Sequence, residues 1–294
     1  MTLVNYRSPD EDNARWSCFV WRDGDIVIST RSKHGTTWTQ MICALLVFQT
    51  PQLPAPLGEL SPWLDWLVVP WDELAAALAA QTHRRFVKTH TPLDGVPIDP
   101  RVTYIVVARH PLDAAVSLYH QGMNLDRERI AELTGQPQPG RPTPPRPIGE
   151  WLDRWIDAGD DPHDALDSLP GVLHHLADAW ARRDEPNVVL VHYDDLSQDL
   201  DGEMRRLADQ LAIAVPADRW SELVDAARFE SMRNRAQELA PDATNVLRSR
   251  EQFFRRGSSG AARELLDEGQ LGRYRARAAE LAPPDLLAWL HRGR

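Results

Sequence analysis

"DIVISTRSKHGTTWTQMICALLVF", residues 25–48, is the stretch whose reading decides the fold. Its first five residues form a short run rich in Ile and Val, the pattern of a strand covered on both faces. From Thr36 or Thr37 onward, apolar residues recur at helical spacing. The turn between them holds Lys33, Gly35, Thr36 and Thr37. A strand that enters a helix through such a turn leaves backbone N–H groups free at the helix start, where the helix dipole adds partial positive charge. Gly35 allows close approach, the two Thr add hydroxyls and Lys33 adds a full charge, so the loop reads as an anion cradle. The same residues also build an ordinary turn with a Thr cap, and the loop alone leaves both readings open. A Walker A loop needs G-x-x-x-x-G-K-[ST]. Here Lys33 precedes Gly35, no Lys follows it, and Gly24 comes too early.

Outward from this stretch, further apolar runs read as strands: "RFVK" (85–88), "TYIVVA" (103–108), "VVLVHY" (188–193) and, more weakly, "FVW" (19–21). Amphipathic segments alternate with them: "WDELAAALAA" (71–80), "PLDAAVSLYHQ" opening at Pro111, then 172–183, 195–211, 219–227, 229–239 and 270–281. This alternation predicts an α/β fold, a central parallel sheet of about five strands flanked by helices, in a single domain over residues 1–294. Residues 136–147, "QPQPGRPTPPRP", carry six prolines and exclude a regular element. A surface loop is expected there, with a lid beside a site as the alternative.

Composition narrows the function. The chain is 43% hydrophobic and 26% charged, ordinary for a globular protein. A net charge of -10 argues against a nucleic-acid partner, although a local basic pocket remains compatible with it. Cys18 and Cys43 give neither a disulfide framework nor metal-ligand spacing, which fits a reducing cytosol. The first residues lack a signal pattern, and no run approaches the roughly 18 apolar residues of a membrane span. A cytoplasmic protein without integral membrane association is expected.

Two further features carry chemistry. "KTH" (88–90) falls at a strand end, where α/β sheets gather their sites. His90 suits a general base and Lys88 can meet negative charge; a structural His at a strand end is the plainer reading. In "VVARHPLDAAVSLYH", Arg109 ends a strand and Ser117 lies about two turns into the next helix. Both can converge on a second phosphate, or serve only packing.

Together these residues resemble the cytosolic-type sulfotransferase family, which uses 3′-phosphoadenosine 5′-phosphosulfate (PAPS). That family's T-Y-P-K-S-G-T-T-W is matched by Thr30–Trp38 at Lys33, Gly35, Thr36, Thr37 and Trp38. Its K-T-H is matched by 88–90, and its 3′-phosphate pair by Arg109 and Ser117. "VVLVHYDDL" resembles the strand whose Tyr contacts adenine, giving Tyr193. "ARFESM" gives Phe229 and Met232 beside adenine, and "FFRRG" gives Phe254, Arg255, Arg256 and Gly257 near the 3′-phosphate. The matches run in family order from residue 25 to about 260. The style of "RRFVKTHTPLDG", "SPWLD" and "LAPPDLLAW" is similar to actinobacterial members described as glycolipid sulfotransferases. The resemblance implies a P-loop-like, three-layer fold. It also implies transfer of a sulfonate from PAPS to an acceptor hydroxyl, leaving 3′-phosphoadenosine 5′-phosphate (PAP), with no metal required.

On that resemblance His90 takes the acceptor proton, Lys33 stabilises charge on the bridging oxygen and 5′-phosphate, and Lys88 meets the transferring sulfonate. Arg109, Ser117, Arg255 and Arg256 clamp the 3′-phosphate, while Trp38 and Phe229 sandwich the adenine. Trp63, Trp66 and Trp71 in "SPWLDWLVVPW" (61–71) suit an apolar or aromatic acceptor, and equally suit a core. A glycolipid hydroxyl is the first expectation and a phenol or hydroxylated small metabolite the second. The departures are Arg31, Ser32 and His34 in the first motif, Ala227 where the family has a Thr, and Ala261-Ala262-Arg263 after Gly260. His34 is expected beside the phosphosulfate. A P-loop nucleotide kinase and a non-catalytic nucleotide-binding relative are the alternatives.

Overall fold

The computed structural model describes residues 3–292 except 139, 141–143 and 243. Four strands make one sheet: β1 (Ile26–Ser29), β2 (Phe86–Thr89), β3 (Thr103–Ala108) and β4 (Val188–His192). Their order is β2-β1-β3-β4, and every neighbouring pair is parallel. Ser29 sits beside Thr89 on one side and Val106 on the other, so the strand ends are level. Parallel neighbours require crossovers, and helices lie in each of them, beginning with α1 (Thr36–Phe48).

Both faces of the sheet are covered. Ile26, Ile28, Ile105 and Val107 pack on the α1 side, while Val27, Tyr104 and Val106 pack with Trp16, Leu64 and Leu74 on the other. The two-residue period of a strand is intact. Both sets are apolar, which is why the sequence shows unbroken apolar runs. Helix α1 is buried from Thr36 to Leu46, a sign of a helix enclosed on all sides. A third cluster gathers helices Ile148–Ile156, Leu169–Ala181, Glu268–Leu281 and Pro284–Leu290 around Ala108 and Leu112.

The expected fifth strand is absent: 19–21 forms no ladder. Phe19 instead ends the 3-10 helix Asn13–Cys18 and meets Trp16 and Trp21 edge-on at 5.6 and 4.7 Å. The apolar character of "FVW" serves an aromatic cluster, and Val20 points to solvent. Tyr193 begins a helix rather than ending β4. The spans 195–211 and 229–239 each divide into two helices, at Asp199 and Arg235. Short helices Leu57–Leu60, Arg127–Thr134 and Arg250–Phe253 were not expected. Within 136–147 the described residues are irregular; the expectation for 139 and 141–143 lies outside the described residues.

The topology fixes where a site can form. β1 has β2 on one side and β3 on the other, so the chain leaves β1 and β3 in opposite directions and opens a crevice beyond their carboxyl ends. Outside β2, an irregular edge continues the pairing. Lys88 N–H donates to the Pro62 carbonyl at 3.0 Å and Leu64 N–H to that of Lys88 at 3.1 Å. Asp12 N–H then donates to Asp65 and Leu67 N–H to Asp10, both at 2.9 Å. This brings residues 10–12 and 62–67 to the mouth of the crevice.

Candidate active site

The crevice is a cavity of about 550 Å³. The loop after β1 forms one wall. Lys33 adopts a left-handed backbone (φ 67°), as does Gly35 (φ 104°). A Cβ at Gly35 would sit 3.1 Å from the Tyr193 ring as well as in a strained backbone, so only Gly fits comfortably. Gly35 is the N-cap of α1 and offers no side chain, leaving the first amides of that helix to an external anion. The Thr30 and Thr36 hydroxyls bond each other at 2.5 Å and brace the turn.

Lys33, Lys88, Arg109 and Arg255 are among the cations that line the cavity. Lys33 Nζ lies 3.3 Å from Gln121 Oε1 and 4.1 Å from the Phe253 ring centre. Lys88 Nζ lies 4.3 Å from the Trp63 ring centre. The Arg109 guanidinium stacks 4.3 Å from the Tyr193 ring centre and donates to the carbonyls of Lys33 (3.3 Å) and Ser258 (3.0 Å). Its Nε is buried and unpartnered. Arg255 completes the set along the lining. Among the described residues none of the four has a carboxylate ion pair. Burial, with Arg109, Lys88 and Arg255 close by, pushes Lys33 down to about 7. Burial pushes Lys88 down to about 8, against the pull of Glu11 and Asp65. Groups so destabilised as cations lack an anion.

Arg256 differs. It lines the cavity but meets Glu264 through two bonds, at 2.9 and 2.5 Å. Ser117 and Gly257 also line it, the latter at φ 65° with no room for a Cβ against the Phe229 ring. The loop is anchored from behind, since Asp113 accepts from Gly260 N–H (2.9 Å) and Ala262 N–H (3.2 Å). This anchor uses backbone N–H groups at Gly260 and in Ala261-Ala262-Arg263, the stretch that departs from the family pattern.

Aromatic walls stand beside this charge. Trp38 meets Tyr193 edge-on at 5.3 Å and donates Nε1–H to the Ala227 carbonyl at 2.8 Å. Phe229 and Phe254 pack at 6.3 Å, and Met232 lines the same end. Across the cavity, Trp63 and Trp66 stack at 5.0 Å and 12°. Trp71 does not join them: it packs on the core around Leu74 and does not line the cavity, which gives it to the core reading.

His90 stands between the two ends, edge-on to Trp63 at 4.5 Å. Its Nδ1 bonds the Thr30 carbonyl, a contact that requires a proton on Nδ1 and leaves Nε2 with its lone pair. Burial, with Lys88 and Arg31 nearby, holds the ring well below the usual histidine range and therefore neutral. Arg31 was missed as a site residue. Its side chain is buried, donates to the His90 carbonyl and pairs with Asp167 at 2.6 Å. Asp65 was missed too: its Oδ2 accepts from Thr89 and Thr91 at 2.5 and 2.6 Å, one residue either side of His90. No local pattern marks these residues, since their partners are far away in sequence.

His34 corrects an expectation. Its ring is fully buried, bonds the Ser32 carbonyl through Nδ1 at 3.0 Å and does not line the cavity. Burial pushes it down to about 4, so it stays neutral at neutral pH.

The arrangement can hold a polyanion with a flat ring at one end, and present a neutral imidazole to an apolar partner at the other. The sulfotransferase domain profile matches residues 23–282. A glycolipid sulfotransferase of Mycobacterium bovis is 46% identical over 311 residues, covering 99% of this chain and 95% of the relative. Human sulfotransferase 2B1 is 27% identical, covering 72% and 53%. Among solved structures, retinol dehydratase in complex with androsterone and the inactive cofactor PAP aligns with a TM-score of 0.68 at 20% identity, covering 94% of this chain and 89% of the other. A mouse sulfotransferase complexed with PAP aligns at 0.64 and 16%, covering 91% and 88%. These two likenesses fix the P-loop-like fold. With a matching domain profile and a near-full-length relative at 46% identity, the chain belongs to the sulfotransferase domain family.

Proposed function

We propose that this sulfotransferase moves a sulfonate from PAPS to a hydroxyl of a glycolipid. The single observation that carries the reading is a group of four cations, Lys33, Lys88, Arg109 and Arg255, that line one cavity beside a neutral His90 and have no carboxylate ion pair among the described residues. A chain with net charge -10 has carboxylates to spare, so cations left unpaired together favour an anionic ligand. The spread of charge from Lys33 to Arg255 suits a nucleotide with phosphate at both its 5′ and 3′ positions. The aromatic end with Trp38 and Phe229 suits its adenine. The PAP complexes of the structural neighbours support this choice of nucleotide.

The chemistry follows from the residues. An acceptor hydroxyl at His90 loses its proton to Nε2, while Arg31 holds the His90 backbone carbonyl and the Thr30 carbonyl sets the ring's tautomer. Its oxygen forms the new bond to sulfur as the bond from sulfur to the bridging phosphate oxygen breaks. Lys33 and the α1 amides stabilise charge gathering on that oxygen, and Lys88 stabilises charge on the sulfonate in flight. Trp63 and Trp66 line the acceptor end, and the mycobacterial relatives' name supports a glycolipid there. A cytoplasmic setting belongs to the same proposal, supported by Cys18 and Cys43 being free thiols. No helix among the described residues is long and apolar enough to cross a membrane.

Incubation with labelled PAPS and a panel of alkyl glycosides, phenols and steroids tests the reading. Labelled glycoside without added Mg²⁺ is the expected product. Transfer confined to phenols or steroids would remove the glycolipid acceptor, and no transfer to any hydroxyl would remove the reaction.

A further inference from the structure

The amino-terminal segment carries a group that sulfonate transfer leaves unexplained. Glu11 is held at the cavity mouth by the pairing of 10–12 with 65–67, and it lines the cavity with Trp66 and Lys88. The neighbouring carboxylates are engaged: Asp10 accepts from Ser8, and Asp167 takes Arg31 and Ser32. The Glu11 side chain has no hydrogen-bond or ion-pair partner among the described residues. Burial, against the pull of Arg31, pushes its carboxyl up to about 8. A half-buried carboxyl without a partner is costly unless a ligand supplies one.

Burial keeps the carboxyl largely protonated at neutral pH in the free protein; hydroxyl donors from a ligand would favour its ionised form, whereas a phosphate would repel that form. Lys88 and Arg31 near Glu11 disfavour a cationic acceptor. What fits is a neutral group with several O–H donors. Trp66 lines the cavity beside Glu11, stacked by one face on Trp63, and its other face is an apolar surface of the kind that the C–H face of a sugar ring covers. His90 lies edge-on to Trp63, on which Trp66 stacks, so a ring on Trp66 would adjoin the general base.

We infer that Glu11 is a specificity-determining residue for the acceptor, accepting hydrogen bonds from the hydroxyls of a sugar ring laid against Trp66. The inference rests on the proposed glycolipid acceptor and deepens it: the sugar, more than the lipid, is what the cavity recognises. A site built to bond hydroxyls discriminates strongly against ligands lacking them, whereas an apolar slot does not.

Steady-state kinetics with octyl glucoside and 2-naphthol as acceptors, PAPS saturating, test it. In Glu11→Gln the ratio of kcat/KM for the glucoside to that for the naphthol should fall at least about tenfold, the size of one lost hydrogen bond to a charged group. Glu11→Asp should recover part of the ratio. PAP affinity within about twofold of the parent reports an intact fold. A ratio unchanged in Glu11→Gln, or both acceptors lost in parallel, would overturn the role of Glu11 while leaving the glycolipid reading in place. A parent enzyme that sulfonates the naphthol and ignores every glycoside would overturn the glycolipid reading itself, and Glu11 with it.

Discussion

His90 and His34 show how much a single side chain's surroundings decide. Both are buried and neutral, His34 five residues past the end of β1 and His90 one past the end of β2, yet of the two only His90 faces the cavity. His90→Ala should lower kcat by about 10²-fold or more, the usual worth of a positioned general base, with PAP affinity held within about twofold. Wild-type turnover in that variant would refute the assignment. His34→Ser should leave the pH–rate profile from 6 to 9 unchanged, because a ring pushed down to about 4 by burial has no titration there. An acid or alkaline limb that disappears on substitution would contradict the buried position. The sequence made His34 look like part of the cradle because it lies between Lys33 and Gly35. The left-handed backbone at both neighbours turns its side chain inward instead.

At the scale of elements, the end of β2 is fixed from outside the strand. Asp65, brought in by the 62–67 edge segment, bonds Thr89, Thr91 and, at 3.4 Å, Trp16 Nε1. Asp65→Ala strands two buried hydroxyls and should cost about 2 kcal/mol or more. Chemical denaturation should read this as a lower midpoint at unchanged slope. Because both hydroxyls flank His90, kcat should fall as well, and a stable but slow Asp65→Asn would separate positioning from folding. A variant with parental midpoint and rate would show that the edge segment does not hold β2. "KTH" and "SPWLD" were each visible in the sequence. Their pairing was not, because nothing in a single chain without alignment tells which acid reaches which hydroxyl across 24 residues.

For the whole molecule, the decisive quantity is the distribution of charge. The chain carries 43 acidic and 33 basic side chains, yet Lys33, Lys88, Arg109 and Arg255 in its cavity have no carboxylate ion pair among the described residues. Lys33 and Lys88 are pushed down to about 7 and 8, so each is charged below that value and loses its charge as pH rises through it. A bound polyanion favours the charged forms. PAP affinity should therefore weaken as pH rises from 7 to 9, and calorimetric titrations over that range should read the decline. Lys33→Arg, whose guanidinium stays charged, should flatten its lower part. An affinity independent of pH would mean that the lysines do not meet the nucleotide. The sequence by itself determined the α/β class, the strand-to-helix cradle and the order of the family motifs. Those depend on local periodicity and on residues close together in the chain. Only the tertiary structure decided that the sheet has four strands among the described residues, that Trp71 belongs to the core and His34 to the interior, that Arg31 and Glu11 line the cavity, and that Asp65 braces the strand end beside His90. Each of these turns on which residues distant in sequence share a boundary, and that is set by the packing of the sheet's two faces and its irregular edge.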